Sequence, residues 1–472
     1  MSDGSFDFGM IGLGTMGRAL LLNMADHGFA VAGLDTDPQK VAALHAEAAK
    51  ETVKGFTDAS QFVASIRKPR AIMMLVPAGE PVDSVIATFR PMLEPGDFLI
   101  DGGNSFYKDT DRREKELRNA GFGFIGMGVS GGEEGARHGP SMMPGGTPEN
   151  YERIRPILEA VAAKFDGAPC VALMGAGSAG HYVKTVHNGI EYAIMQLIAE
   201  SYDLMKRGLK MNDDEIADEF DKLNEGPLGG FLIEIASVVL RKNDPDDPNV
   251  RLVEVISDKA KQKGTGKWTS QDAMDLGMPI PTIDAAVGAR ELSGLKDQRV
   301  EAEKLLQGSS VEVRFDRDET LDILSRALHS ATLLSYVQGF ALLHQASAEY
   351  GFGTDLQTVA KIWRAGCIIR SKSLEDIRAA FERKADQPNL LLDSEIAETV
   401  LDEQGCLRQL VSQMVRARIP CPSYSATVGY LDSYASGRLP ANLIQGQRDL
   451  FGAHTYERLD KPGTFHTKWK DE

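Results

Sequence analysis

The chain has 472 residues, 42% apolar and 25% charged, an ordinary globular balance that can build two to three domains of about 100–200 residues each. Lys and Arg total 52 against 68 Asp and Glu, a formal charge of −16 that speaks against a protein tracking nucleic-acid phosphates; any anionic ligand must meet its cations locally. No apolar run reaches the roughly 18 residues of a membrane helix, and the start, MSDGSFDFGM, lacks the basic and apolar regions of a secretory signal.

Residues 6–12 read as a short buried strand. Gly12-Leu13-Gly14-Thr15-Met16-Gly17 follows and opens a helical run to His27; 29–34 read as a second strand ending at Asp35. Residues 71–76 and 98–100 read as further strands, with helices expected at 80–93 and 109–120. This βαβ alternation predicts a parallel sheet covered on both faces. In that setting the glycine motif has a physical reading. Gly12 permits a tight turn, Gly14 lets backbone approach a pyrophosphate, and Gly17 allows close helix–strand packing at a helix N-terminus. Asp37 with Pro38 suits the cap of the next helix, which leaves Asp35 for a ribose.

After Met174 strand-like segments nearly vanish. Helical periodicity marks 178–207, 213–223, 231–242, 320–350 and 356–365. IMQLIAESYDLMKRGLKMNDDEIADEF resembles FALLHQASAEYGFGTDLQTVAKIW, with Gly208 matching Gly351, which reads either as a duplicated helical unit or as chance similarity between two amphipathic helices; FLIEIAS and CIIRSKS follow the two copies. Beyond Gly437 the chain reads as irregular, and its aromatic content suggests a tail tied down on something. Cys170, Cys367, Cys406 and Cys421 are far apart and fit a reducing cytoplasm rather than a disulfide scaffold or zinc knuckle.

Three constellations can carry chemistry. Lys184, His187, Asn188, Glu191 and Tyr192 fall on one helical face, within an otherwise apolar or small helix. Asp101-Gly102-Gly103-Asn104-Ser105 follows a strand directly. Residues 126–146, GMGVSGGEEGARHGPSMMPGG, read as a glycine-rich loop carrying Ser130, Glu133, Glu134 and Arg137. The last two lie where doubly wound sheets bind ligands, beyond the carboxyl ends of strands.

Taken in order, IGLGTMG, DGGNS, GVSGGEEGARHGPSMMPGG, KTVHNGIEY, QKGTGKWT and LPANLIQGQRDLFGAHTYE closely resemble the long-chain, decarboxylating 6-phosphogluconate dehydrogenase family over nearly the whole chain. The resemblance implies an α/β Rossmann-type coenzyme domain (1–177), a large all-α substrate and dimerisation domain (178–436), and a C-terminal tail (437–472) that reaches the partner subunit of a homodimer. The implied reaction, a step of the pentose phosphate pathway and gluconate utilisation in the cytoplasm, oxidises and decarboxylates 6-phospho-D-gluconate to D-ribulose 5-phosphate and CO2 with reduction of NAD(P). No metal, nucleic acid or membrane is implied.

By the same resemblance, Asn104, Ser130, Gly131, Gly132, His187 and Asn188 hold the C1–C3 end of the substrate. Lys184 is the base on the 3-hydroxyl, and Glu191 the acid that protonates C1. Tyr192, Lys263, Thr265 and Arg290 bind the phosphate, with Arg448 and His454 arriving from the other subunit. The coenzyme contacts are Gly12, Leu13, Gly14, Thr15, Met16, Gly17, Asp35, Thr36, Asp37, Val76, Pro77, Ala78 and Asn104. Here the chain departs from the family. Asp35-Thr36-Asp37 replaces Asn-Arg-Thr, and Pro77 replaces a Lys, so NAD is expected to be favoured over NADP. Lys40, or a basic residue distant in sequence, is the alternative source of charge for a 2′-phosphate. The alternative function is that of another β-hydroxyacid dehydrogenase, such as one acting on hydroxyisobutyrate; those proteins are shorter and lack Arg290 and the Arg448–His454 tail. A catalytically dead scaffold would have lost Lys184 or Glu191, and both are present.

Overall fold

Five four-residue strands organise the N-terminal part: β1 (Phe8–Ile11), β2 (Val31–Leu34), β3 (Val53–Phe56), β4 (Ala71–Met74) and β5 (Phe98–Asp101). β6 (Gly123–Ser130) and β7 (Ser141–Gly145) complete the sheet in this computed structural model, which describes residues 5–48, 52–306 and 313–470. The order is β3-β2-β1-β4-β5-β6-β7, parallel throughout except for the antiparallel β6–β7 pair. β1, β2, β4 and β5 are buried at every residue, as strands covered on both faces must be. The covering helices are α1 (Thr15–Asp26), α2 (Pro38–Glu47), α3 (Ala59–Ser65), α4 (Glu80–Phe89), α5 (Tyr107–Asn119), α6 (Gly132–His138) and α7 (Pro148–Val161). Strand order reverses between β1 and β4, which opens a crevice at their carboxyl ends.

The helical part follows a short hairpin, β8 (Lys164–Phe165) with β9 (Ala168–Pro169). It comprises α8 (Ala179–Asp203), α9 (Asp213–Glu225), α10 (Phe231–Arg241), α11 (Leu252–Val255), α12 (Thr265–Asp275), α13 (Pro281–Gly294), α14 (Lys296–Leu306) and α15 (Arg317–Tyr350). Then come α16 (Leu356–Ile362), α17 (Ser373–Arg383), α18 (Ser394–Arg416) and α19 (Pro422–Tyr434). α8 and α15 run through its centre, with Val183, Val186, Ile190, Leu334, Val337 and Phe340 buried in one core. Gly339 permits their close crossing, since a Cβ there would lie 2.4 Å from the Ile190 side chain. Among the described residues no helix is long and apolar enough to cross a membrane.

Four expectations are corrected. Residues 126–146 are not a loop but β6, α6 and β7. Their glycines serve packing: a Cβ on Gly128 would come within 2.4 Å of the Lys184 Cβ, so glycine lets α8 settle onto the sheet. β3 and α3 were not expected, because β3 is an edge strand that buries only Val53 and Phe56, too short a pattern to read. The repeat is partial. Both copies form two helices joined at Gly208 or Gly351, but FLIEIAS lies in α10, whereas 367–372 after the second copy are non-helical. The tail is regular: α20 (Ala441–Gly452) and a hairpin of β10 (Tyr456–Glu457) with β11 (Thr464–Phe465).

Candidate active site

At the coenzyme end, Gly12 adopts φ +92, and a Cβ on Gly17 would lie 1.9 Å from the Gly12 carbonyl oxygen. α1 has Gly14 as its N-cap, with no side-chain cap bond, and nothing lies within 4 Å of where a Gly14 Cβ would be. Open space over an uncapped helix N-terminus fits a pyrophosphate. The Leu13 amide donates to Asp35 Oδ2 at 2.9 Å, which binds this loop to the end of β2. Asp35 Oδ1 accepts from the Asp37 amide at 3.0 Å, and the Lys40 ammonium lies 3.3 and 3.4 Å from the two oxygens. Burial pushes the Asp35 carboxyl up, but the two amides and Lys40 outweigh it and hold the group below its ordinary value. Asp37 caps α2 through the Gln39 amide, with Pro38 in the first turn. Thr36 is exposed beside them, and Val76, Pro77 and Ala78 follow β4 across the crevice.

Beyond β5 a buried carboxylate shapes the next loop. Asp101 accepts from the Gly103 amide at 3.1 Å and the Ser105 hydroxyl at 2.6 Å, with Arg113 behind it at 3.5 Å. Of the five residues 101–105, only Asn104 is left exposed. β6 delivers Ser130, and Gly131 and Gly132 turn the chain into α6. The Ser130 hydroxyl oxygen accepts from the Ile368 amide at 3.2 Å and lies 3.1 Å from His187 Nε2.

The face of α8 is buried rather than solvated: Lys184 is 6% exposed, His187 0% and Asn188 8%. His187 Nδ1 lies 3.3 Å from Lys184 Nζ, 3.1 Å from Asn188 Oδ1 and 3.9 Å from Glu191 Oε2. Burial lowers the Lys184 pKa against the pull of Glu191, and raises that of Glu191 against Lys184 and Arg290. It also holds His187 well below its ordinary value, with Lys184 adding in the same direction. A buried amine and a buried carboxyl are thereby pushed toward their neutral forms.

One turn on, the Arg290 guanidinium stacks 3.4 Å from the Tyr192 ring centroid. Gly266 packs directly under the same ring, and the Thr269 hydroxyl donates to the Thr185 carbonyl at 2.8 Å, docking α12 on α8. Thr265 is buried in the first turn of α12 behind Gly264, another N-cap with no side-chain cap bond. Lys263 is exposed just before it. Among the described residues, Lys259, Lys261, Lys263 and Arg290 have no carboxylate partner within 4.0 Å.

The structure thus gathers Ser130, Lys184, His187, Asn188, Glu191, Tyr192, Thr265 and Arg290. It does not bring Arg448 or His454 to them: both are exposed on the tail, and Arg448 bonds Gln445. Asp449, fully buried, holds that tail together by accepting from the Thr455 and Thr467 amides and the Trp469 indole, and by contacting His466. Sequence reasoning missed Trp363, Cys367 and Ile368. The Trp363 ring stands edge-on to His187 with centroids 5.5 Å apart, and Cys367 lies beside Lys184. No local pattern marks them, because they meet the site from about 180 residues away.

Residues 7–175 match the family model described as the NAD binding domain of 6-phosphogluconate dehydrogenase, and 180–469 match its C-terminal domain. A decarboxylating 6-phosphogluconate dehydrogenase of Lactococcus lactis is 48% identical over 468 residues, covering 99% of each chain. An NADP(+)-dependent, decarboxylating 6-phosphogluconate dehydrogenase of Bacillus subtilis is 48% identical over 462 residues, covering 98% of each. Among solved structures, the Plasmodium falciparum 6-phosphogluconate dehydrogenase, described with its cofactor NADP+ and its substrate 6-phosphogluconate, superposes with a TM-score of 0.94 at 40% identity, covering 98% of this chain and all of that one.

Proposed function

The chain belongs to the 6-phosphogluconate dehydrogenase family, and on that premise we propose that it converts 6-phospho-D-gluconate to D-ribulose 5-phosphate and CO2 with reduction of NAD(P). The observation that carries the reading is the buried Lys184–His187–Glu191 line, which ends at the Arg290 guanidinium, with no carboxylate among the described residues paired to it within 4.0 Å. Lys184, favoured as a free amine by burial, takes the proton of the 3-hydroxyl. A bound nicotinamide supplies the acceptor for the C3 hydride. Protonated Lys184 then polarises the C3 ketone while the C1 carboxylate departs as CO2. Glu191, favoured in its protonated form, delivers a proton to C1 of the enediol. The reaction neither takes up nor releases a net proton. Lys184 ends one proton richer and Glu191 one poorer, and a transfer between them resets the pair. Activity should fall at low pH as Lys184 protonates, and at high pH as Glu191 ionises.

Asn104, Ser130, Gly131, Gly132, His187 and Asn188 are read as holding the C1–C3 end. Tyr192, Lys263, Thr265 and Arg290 are read as holding the phosphate. Support for an anion there comes from the unpaired cations and the uncapped start of α12. The domains are read as 1–177, 178–436 and 437–472, and the assembly as a cytoplasmic homodimer. Arg448 and His454, remote from their own site, are read as serving the partner's. In keeping with this, the tail bonds to itself, and Leu443, Ile444 and Phe451 are left 60–72% exposed.

NAD is read as the preferred coenzyme. The carboxylate of Asp35 at the end of β2 suits ribose hydroxyls and repels a 2′-phosphate, and Thr36 brings no charge. Initial rates with 6-phosphogluconate, run separately with NAD and NADP and followed by reduced-coenzyme absorbance and CO2 release, test the reading. No reduction with either coenzyme would overturn the activity; higher kcat/KM with NADP would overturn the preference.

A further inference from the structure

We infer that Ser130 and the backbone amide of Ile368 are positioning groups that lock His187 in the tautomer with its proton on Nδ1, facing Lys184, and so hold Lys184 as a free amine. The inference rests on Lys184 as the base of the proposed reaction.

Donors and acceptors leave one consistent assignment. The Ile368 amide can only donate, so the Ser130 oxygen accepts from it at 3.2 Å. The hydroxyl hydrogen is then free, and the ring nitrogen within its reach is His187 Nε2 at 3.1 Å. That hydrogen can be given to Nε2, which places the proton of a neutral imidazole on Nδ1; the second lone pair of the Ser130 oxygen could equally accept from Nε2–H. The other side of the ring decides for the first. Nδ1 faces the carbonyl oxygen of Asn188 at 3.1 Å, which can only accept. The ring is fully buried, burial holds it uncharged, and Trp363 stands edge-on against it, its own indole donating to Met143 Sδ at 3.4 Å.

The consequence falls on Lys184, whose Nζ lies 3.3 Å from Nδ1. An amine lone pair can share Nδ1–H with the Asn188 oxygen. An ammonium would set donor against donor and lose that partner. The other charged or titratable groups facing this pair are Glu191 on α8, the Cys367 thiol beside Lys184 and, beyond Glu191, Arg290 on α13. Glu191 and Cys367 would favour the ammonium in their ionised forms, and the burial of each favours its protonated form. The ring therefore tips Lys184 toward the base form before the reaction, and gives the ammonium no partner in Nδ1 after it.

Ser130→Ala removes the one donor that reaches Nε2 among the described residues. The ring can then move its proton to Nε2 and accept from a Lys184 ammonium at Nδ1. The acid limb of kcat/KM against pH should rise by about one pH unit, a tenfold loss at pH values below it, while Ser130→Thr, which keeps the hydroxyl, should leave the limb in place. In 15N-histidine-labelled wild-type protein, the His187 resonances, identified by their loss in His187→Gln, should show the Nδ1–H tautomer; Ser130→Ala should show Nε2–H. An Nε2–H tautomer in the wild type, or an unmoved acid limb in Ser130→Ala, would overturn the inference. The tautomer is read without turnover, so it decides the matter even if 6-phosphogluconate proves not to be the substrate.

Discussion

Lys40→Met is the most direct probe of how this chain selects its coenzyme. The ammonium sits 3.3 and 3.4 Å from the two oxygens of Asp35 and is 44% exposed, so the pair is a partly solvated one worth about 0.5–1 kcal/mol. The Leu13 and Asp37 amides already take one lone pair on each oxygen. Lys40 therefore occupies the acceptor sites that two ribose hydroxyls would use. Displacing it costs NAD binding no more than the pair is worth, so its removal should raise kcat/KM for NAD by at most about fivefold. For NADP the sign reverses. Lys40 is the cation beside Asp35, and a 2′-phosphate left facing that carboxylate without it loses about 2 kcal/mol or more, roughly thirtyfold. The NAD-to-NADP ratio of kcat/KM should thus climb about thirtyfold to a hundredfold, measured by initial rates with each coenzyme at saturating substrate. Equal changes for both coenzymes would refute the reasoning and leave Lys40 a mere cap neighbour.

Lys184→Met should cut kcat by about 10²–10⁴ while substrate still binds, and Glu191→Gln should chiefly slow enediol protonation; turnover near wild type in either would sink the roles. Arg290→Ala should raise KM for 6-phosphogluconate at least about thirtyfold with a smaller effect on kcat, and an unchanged KM would remove the phosphate from this end of α8. Mixing a chain ending at Gly437 with a Lys184→Met chain should recover activity in mixed dimers confirmed by native mass spectrometry, if Arg448 and His454 serve the partner's site. Glu200, 2% exposed and accepting from the Ser423 and Tyr424 amides, is pushed up by burial from 4.5 to about 7. A carboxyl raised in the folded state favours folding below its unfolded value and loses that contribution as pH climbs through the folded one. Denaturant unfolding should therefore show stability falling by on the order of 3 kcal/mol between about pH 4.5 and 7, and Glu200→Gln should flatten that slope.

What was legible in the sequence is what local periodicity encodes. The strand–glycine–helix opening, the acidic end of β2, the Asp37–Pro38 cap and the shared face of Lys184, His187, Asn188 and Glu191 all need only short windows. Glycine misled where its purpose was tertiary. Residues 126–146 look like a loop because Gly126 and Gly128 have poor strand propensity, yet they are strand residues pressed against His181 and Lys184. The tail misled for a related reason: α20 exposes Leu443, Ile444, Leu450 and Phe451, so its periodicity has no core of its own to point at. A group that acts through non-local contact, such as the Ile368 amide on Ser130, carries no sequence signature, since a backbone amide has none.

The acidic charge and the anion site are two sides of one arrangement. In the helical body the arginines are mostly spent on carboxylates: Arg207 with Asp203, Arg251 with Asp214, Arg317 with Glu215, Arg383 with Asp393, Arg408 with Asp432. Such pairs cancel locally and contribute little field at a distance. Among the described residues, Lys259, Lys261, Lys263 and Arg290 are left without such partners; Lys263 directly precedes the start of α12, and Arg290 stacks on Tyr192 at the end of the α8 stripe. On the proposed reading, these unneutralised cations mark where the phosphate of a phosphorylated sugar acid would go. A phosphate held there would run the sugar back along α8, from Tyr192 past Glu191 to Lys184, a span of about two helical turns. The positions of the proposed acid and base along that helix would then decide which carbons meet them.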